Sequence, residues 1–489
     1  MMDPVSSMAA LCASRNATVQ KCFENASVTL DAFYDREAEK VRRNRAVKPL
    51  KDPEDFIRRA GSFAAERLGD KAGEDVMRAA GSGAICTADH HGSLFSSQTF
   101  QGDLLFAEVL RKLDAETRYV PIFSAGQVEL ENSTYARGIS AYTSPLEKQL
   151  FPFFAAKNSV QLASHAQGIT PEMIARFRKQ TLVKADNEPL KAALSDICQI
   201  YESAEVQAYS RFPDQATAAG VLLGKKLFED GAGPLFAYLE IEDVVRPLLV
   251  EELSDPASYL SRMLDDPAAR KKLSEITAPD GTSLAGLLFK GADEKGRKIA
   301  LSLTEDGQLS GKDWRGQTVS YGTDRRELLP LLEAEKVFPG VFTIAFLLAF
   351  ERGLTWFGGM FQSVYLPAWQ EALALFFETS GLPEEAALFR SYACDAYICG
   401  PMFALYGGDG FATAAGPVEF FISKPAYEQV REMIRPLGLW DAHLIGLTEM
   451  YFDLVLRDER EPDWFRVTAE ELYRRYVGET NSCRLLINR

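Results

Sequence analysis

A chain of 489 residues has room for roughly two to four domains and can bury a sizeable core unaided. Its 46% hydrophobic and 25% charged residues exclude disorder as the main state. A formal net charge of -15 opposes wrapping a nucleic-acid backbone, which needs clustered Lys and Arg. The seven cysteines, at 12, 22, 86, 198, 394, 399 and 483, form an odd set without a CxxC pair. That pattern suits neither a disulfide framework nor a structural zinc site, so reduced thiols are expected. The start of the chain has no basic segment of the signal-peptide kind. The longest apolar run, Val337 to Phe350, is broken by Pro339 and Gly340 and falls short of the about 20 residues a bilayer requires. The expectation is a cytoplasmic protein acting on a small molecule, with neither nucleic acid nor membrane as partner and an oligomeric state left open.

Residues 16 to 45 read as helix, apolar through Val28, Leu30, Phe33 and Val41. Asp52-Pro53-Glu54 opens another, because Asp52 can cap free amides and proline suits a first turn. From Gly83 the texture changes. Ala84-Ile85-Cys86-Thr87-Ala88 is a short uncharged run fit for a buried parallel strand, and the polar turn Asp89-His90-His91-Gly92 follows it directly. Gln101 to Leu113 has helical character, Tyr119 to Ser124 reads as a second strand, and Val128 to Ser133 as a third extended piece. Strand, helix and strand make a βαβ unit with parallel strands, whose ligands bind beyond the strands' carboxyl ends. Both polar clusters, Asp89 to Gly92 and Glu129-Leu130-Glu131-Asn132, lie there.

Thr170-Pro171-Glu172 starts a helical stretch that runs to about 275, with Glu240, Glu242 and Asp243 on an acidic helix start. Turn signals such as Pro279-Asp280-Gly281 and Glu305-Asp306-Gly307 then predict a small antiparallel element over 279–322. Residues 327–377 are densely apolar around Phe357-Gly358-Gly359-Met360-Phe361-Gln362, where paired glycines permit close backbone approach. Gln362 and Tyr365 fall on one helix face. Cys394 and Cys399 read as core positions of a helix, Gly407-Gly408-Asp409-Gly410 as a turn, and Thr468 to Glu471 as a capping box. The segments expected are 1–80 helical, 81–170 first part of the core, 171–278 helical, 279–325 a β-containing insertion, 326–425 second part of the core, and 426–489 helical.

The chemistry concentrates at residues 89–92, which hold two of only four histidines. An aspartate beside two histidines can bind a divalent metal, act as general acid or base, or hold a phosphate or carboxylate. It can also be a plain strand-end turn. The run Asp89-His90-His91-Gly92 resembles one motif of the DHH phosphoesterases, which cleave phosphodiesters with manganese-type metals. That family adds aspartates from upstream strands, and no Asp-x-Asp precedes residue 89 here.

Residues 84–135 and 328–369 together resemble the bacillithiol biosynthesis cysteine-adding enzyme family. The likeness lies in the strand and polar turn ending at Gly92, in Val120-Pro121-Ile122-Phe123 running into an acidic loop, and in Leu328-Leu329-Pro330, Phe338-Pro339, Phe357-Gly358-Gly359 and Tyr365. The chain departs from the family at His90-His91, where Gln-Gln is usual, and at Glu129 to Asn132, where the family has a Glu-Asp-His-Asp type run. The resemblance implies an α/β, Rossmann-like, mostly parallel sheet flanked by helices with largely helical insertions. It also implies a C–N bond-forming ligase or transferase that joins an amino acid to an amine-bearing metabolite. In that reading His90 or His91 is the general base, oriented by Asp89, with Gly92 making the turn. Glu129, Glu131 and Asn132 hold an ammonium or metal ion, and Arg137 presents a guanidinium to a carboxylate or phosphate. Gly358, Gly359, Gln362 and Tyr365 form the opposite wall. A metal-dependent hydrolase using Asp89, His90 and His91 as ligands, and a non-catalytic binding module, stand as alternatives. The sequence leaves a nucleotide or a divalent metal open as cofactor.

Overall fold

Short uncharged runs without a helical period build the central sheet of the computed structural model, which describes residues 4–90, 94, 96–131, 137–180, 185, 187–229, 231–278, 281–478 and 486–488. Its strands are β1 (Ala84–Cys86), β2 (Tyr119–Ser124), β3 (Leu235–Glu240), β4 (Thr355–Gly359) and β5 (Tyr397–Cys399). All pair in parallel, in the spatial order β5-β4-β1-β2-β3. Alternate residues serve opposite faces. Cys86, Ile122, Tyr238 and Phe357 enter one apolar core, while Ile85, Phe123, Leu239 and Trp356 enter the other. A parallel sheet covered on both faces needs apolar side chains at every position, which is why these strands read as runs and not as alternations.

The connections fix where a ligand can enter. From β1 the chain crosses through helix α1 (Ser97–Lys112) to β2 and later reaches β3 beyond it, whereas β4 and β5 are added on the other side of β1. The strand order therefore reverses between β1 and β4. Helices α2 (Ile241–Ser254) and α3 (Gln362–Thr379) follow β3 and β4. With α1 they set three positive helix ends on the carboxyl edge of the sheet.

The antiparallel element is present: Phe289–Ala292, Lys298–Leu303, Gln308–Lys312 and Thr318–Gly322 form a meander, and Val337–Pro339 completes its edge. Asp409 and Gly410 both take positive φ, 53° and 84°, in the tight hairpin turn between Leu405–Gly408 and Phe411–Ala414. Among the described residues, no helix is long and apolar enough to cross a membrane.

Several local expectations differ from the structure. The stretch 171–278 is not wholly helical, because Leu235–Glu240 is the edge strand β3, and a six-residue apolar run carries no period that separates buried strand from buried helix. Instead of a third strand at 128–133, Glu129 makes a single bridge to Leu162, and a hairpin of Gly138–Ser144 with Glu147–Pro152 follows. The helix over 16–45 breaks into Ala17–Glu24 and Leu30–Ala46. Cys399 lies on β5, and Cys394 on the segment leading to it, not on a helix. Thr468 sits inside the helix Trp464–Tyr473, where its hydroxyl donates to the Trp464 carbonyl at 2.8 Å and is satisfied within its own turn.

Candidate functional site

At the reversal point, beyond the carboxyl ends of β1, β2 and β4, the chain leaves a crevice of about 190 Å³. Thr87, Ala88 and His90 line it from the exit of β1, and Phe123 and Ala125 from the end of β2. Trp356, Gly359, Gln362 and Tyr365 supply the opposite side from β4 and α3. This is the place where open α/β sheets hold ligands.

Gln362 is 7% exposed and closes the back of the crevice. Thr87 Oγ1 donates to its Oε1 at 2.8 Å, which sets the carboxamide orientation and leaves the Nε2 hydrogens buried without a partner. The position of that amide depends on Gly358, since a Cβ there would overlap it. Trp356, 2% exposed, has an indole N–H with no partner, and the Nδ1 atom of His90 is likewise buried and unpartnered. An unpaired buried polar group costs about 1–3 kcal/mol, so three around one cavity mark a place where a ligand or water supplies the missing bonds. Burial pushes His90 down to about 4, which makes the imidazole neutral at physiological pH. Burial also pushes the Tyr365 phenol up, so it stays protonated, and its ring packs against Trp369 with centroids 4.3 Å apart. Phe361, 52% exposed, forms an apolar lip.

Asp89 has a different environment from the one expected. It is fully buried, accepts the backbone N–H of His90 at 2.7 Å, and is hydrogen-bonded to the carboxyl group of Asp103. Asp103, also fully buried, accepts from the Tyr238 hydroxyl at 3.1 Å and faces the Cys86 thiol at 3.9 Å. Burial and the neighbouring Asp89 charge push Asp103 well above the usual carboxylate range, so the two acids share a proton. Successive residues of an extended segment point to opposite sides, which separates Asp89 from the ring of His90. Asp89 therefore makes no bond to the His90 Nδ1 atom.

The acidic loop is placed elsewhere. Glu131 pairs with Arg137 at 3.2 Å, and Arg137 also donates to the Phe154 carbonyl at 3.2 Å. Neither these residues nor Glu129 line the crevice. His91, Gly92 and Asn132 lie outside the described residues. Among the described residues, no group of three or more His, Cys, Asp or Glu side chains is placed to share a metal ion.

Sequence reasoning passed over Thr87, Trp356, Asp103 and Tyr238. Only Asp103 carried a legible signal, an acid directly before the apolar run Leu104-Leu105-Phe106-Ala107, where an unpaired charge would be costly. In comparison with known proteins, no protein-family model matches the chain and no curated protein matches its sequence.

Proposed function

We propose that the crevice between β1 and β4 is the substrate site of a biosynthetic enzyme that joins an amino acid or amine to a small metabolite, the activity implied by the resemblance to the cysteine-adding family. The observation that carries the reading is the set of three buried nitrogen groups, on His90, Trp356 and Gln362, without partners in the protein. An amino acid is complementary to that set. Its carboxylate accepts from the Gln362 carboxamide and the Trp356 indole, and its amine meets a neutral imidazole able to take a proton. A carboxylate bound nearby would raise the basicity of His90 from about 4 toward the working pH, where a general base is most effective. The volume of about 190 Å³ is below the 300–1,000 Å³ of drug-sized sites and suits a ligand of amino-acid size.

The test is a thermal-stabilisation screen of amino acids and amines, followed by calorimetric titration of the best ligand into wild type, Gln362→Leu, Trp356→Phe and His90→Gln. The expected result is at least about a tenfold loss of affinity in Gln362→Leu, one charge-assisted hydrogen bond's worth. Turnover should fail in His90→Gln with binding retained. Ligand affinity unchanged in both Gln362→Leu and Trp356→Phe would remove the assignment.

A further inference from the structure

A second cavity, of about 440 Å³, shares no lining residue with the crevice. It lies between the hairpin Gly138–Ser144/Glu147–Pro152, the start of α1, and two C-terminal helices, α4 (Leu447–Leu454) and α5 (Trp464–Tyr473). Its walls are aromatic: Tyr142, Phe452, Trp464 and Phe465. Trp464 and Phe465 stand at 87° to each other with centroids 5.5 Å apart and so form a corner of two ring surfaces. Phe452 is 53% exposed at the edge.

The polar groups of this cavity are unevenly charged. Glu449 and Asp453 are four residues apart on α4 and share one helix face. Among the described lining residues, a single cation, Lys148, faces these two carboxylates. Lys148 is committed to Glu449 at 3.5 Å and lies 5.4 Å from the Tyr142 ring centroid. The other Glu449 oxygen accepts the backbone N–H of Gln98 at 3.1 Å. The neighbouring Arg460 donates to the Val455 and Phe452 carbonyls and sits over the Phe452 ring at 4.4 Å. Burial first, then the Glu449 charge, push Asp453 up to about 7, against the pull of Arg460 and Lys148 in the other direction. Thr448, 2% exposed and part of the lining, keeps a buried hydroxyl oxygen without a partner.

We propose that this cavity binds a small organic amine in its protonated form, with the ammonium group seated beside Asp453 and Glu449 and its apolar body against Trp464 and Phe465. An ammonium supplies the missing positive charge and several N–H donors, one of them for the Thr448 hydroxyl. Aromatic faces attract a cation through their ring quadrupoles. A carboxylate-bearing ligand would have to compete with Glu449 for Lys148 in a cavity that Asp453 also lines, and like charges repel.

The probes are phenethylamine and phenylacetate, which share a ring and differ in the sign of the charge, titrated calorimetrically into the full chain at pH 8, where Asp453 is ionised. Phenethylamine is expected to bind wild type and phenylacetate not. Asp453→Asn is expected to weaken phenethylamine at least about tenfold with an unchanged circular dichroism spectrum, and Trp464→Leu to weaken it independently. The proposal is overturned if phenylacetate binds as tightly as phenethylamine, if Asp453→Asn leaves phenethylamine affinity intact, or if neither probe gives heat at millimolar concentration. Because none of these variants touches the crevice at Gln362, a failure here is separable from a failure of the proposed substrate site.

Discussion

Thr87 at the end of β1 donates its hydroxyl to the carboxamide of Gln362 at the start of α3, over 2.8 Å and across 275 residues of sequence. The bond spans the place where the strand order reverses, so it joins the two walls of the crevice and also aims the free Gln362 N–H groups. Thr87→Val removes the donor with little change of shape and leaves the Gln362 oxygen unsatisfied. The expected loss is about 1–3 kcal/mol in urea denaturation, and Thr87→Ser should restore most of it.

Gly358 is required by the same arrangement. A methyl group at this position would occupy the space of the Gln362 carboxamide. Gly358→Ala should therefore fold, since the displaced atoms are the end of a flexible side chain, but lose about 1–3 kcal/mol of stability. In the double variant Gly358→Ala/Gln362→Ala the clash is gone. A double-mutant cycle by urea denaturation should show the two changes coupled by at least about 0.5 kcal/mol, and purely additive effects would contradict the packing described.

His443 predicts the acid limb of stability. It is fully buried, its Nδ1 donates to the Leu439 carbonyl at 2.8 Å and its Nε2 lies 3.2 Å from the Tyr397 hydroxyl. Burial pushes it down to about 4, below the 6.5 of an exposed histidine. Between those values the unfolded chain binds the proton and the folded chain does not, so stability is full above pH 6.5 and falls as the pH drops toward 4. The loss reaches about 3 kcal/mol for one such histidine. His443→Gln should flatten this limb when denaturation is measured from pH 7.5 down to 4.5, whatever its effect at neutral pH.

The pair Asp89 and Asp103 has the opposite sign. Asp103 is held well above its usual range in the folded state, so the folded chain keeps a proton that the unfolded chain releases. Its contribution is most favourable at acid pH and declines as pH rises above about 4. Asp103→Asn preserves the shape, still accepts from Tyr238 and can donate to Asp89 without needing that proton. It should equal or exceed wild-type stability at pH 8, whereas Asp103→Ala should fall below it. Melting temperatures of the three proteins at pH 5 and pH 8 decide the matter.

Much of this was written locally. The unit β1-α1-β2 shows itself in Ala84 to Ala88, Gln101 to Leu113 and Tyr119 to Ser124 because buried parallel strands and amphipathic helices each impose a composition on consecutive residues. The antiparallel element shows itself through turns such as Glu305-Asp306-Gly307, where Gly307 takes a φ of 80° that side chains resist. The close backbone approach at Gly358 and the helix face of Gln362 and Tyr365 come from the same short-range rules. What residues 84–92 could not declare is that β4 lies beside β1, with Ala84 opposite Thr355 and Cys86 opposite Phe357. Nor could they tell that Asp89 would turn to Asp103 and leave His90 alone facing the crevice, or that a strand at Leu235–Glu240 would close the sheet. Backbone propensity and turn chemistry act over a few residues, and these the sequence by itself determines. Which apolar strands become neighbours, and so which polar groups are left without partners around one cavity, depends on the packing of the whole core, and only the tertiary structure decides it.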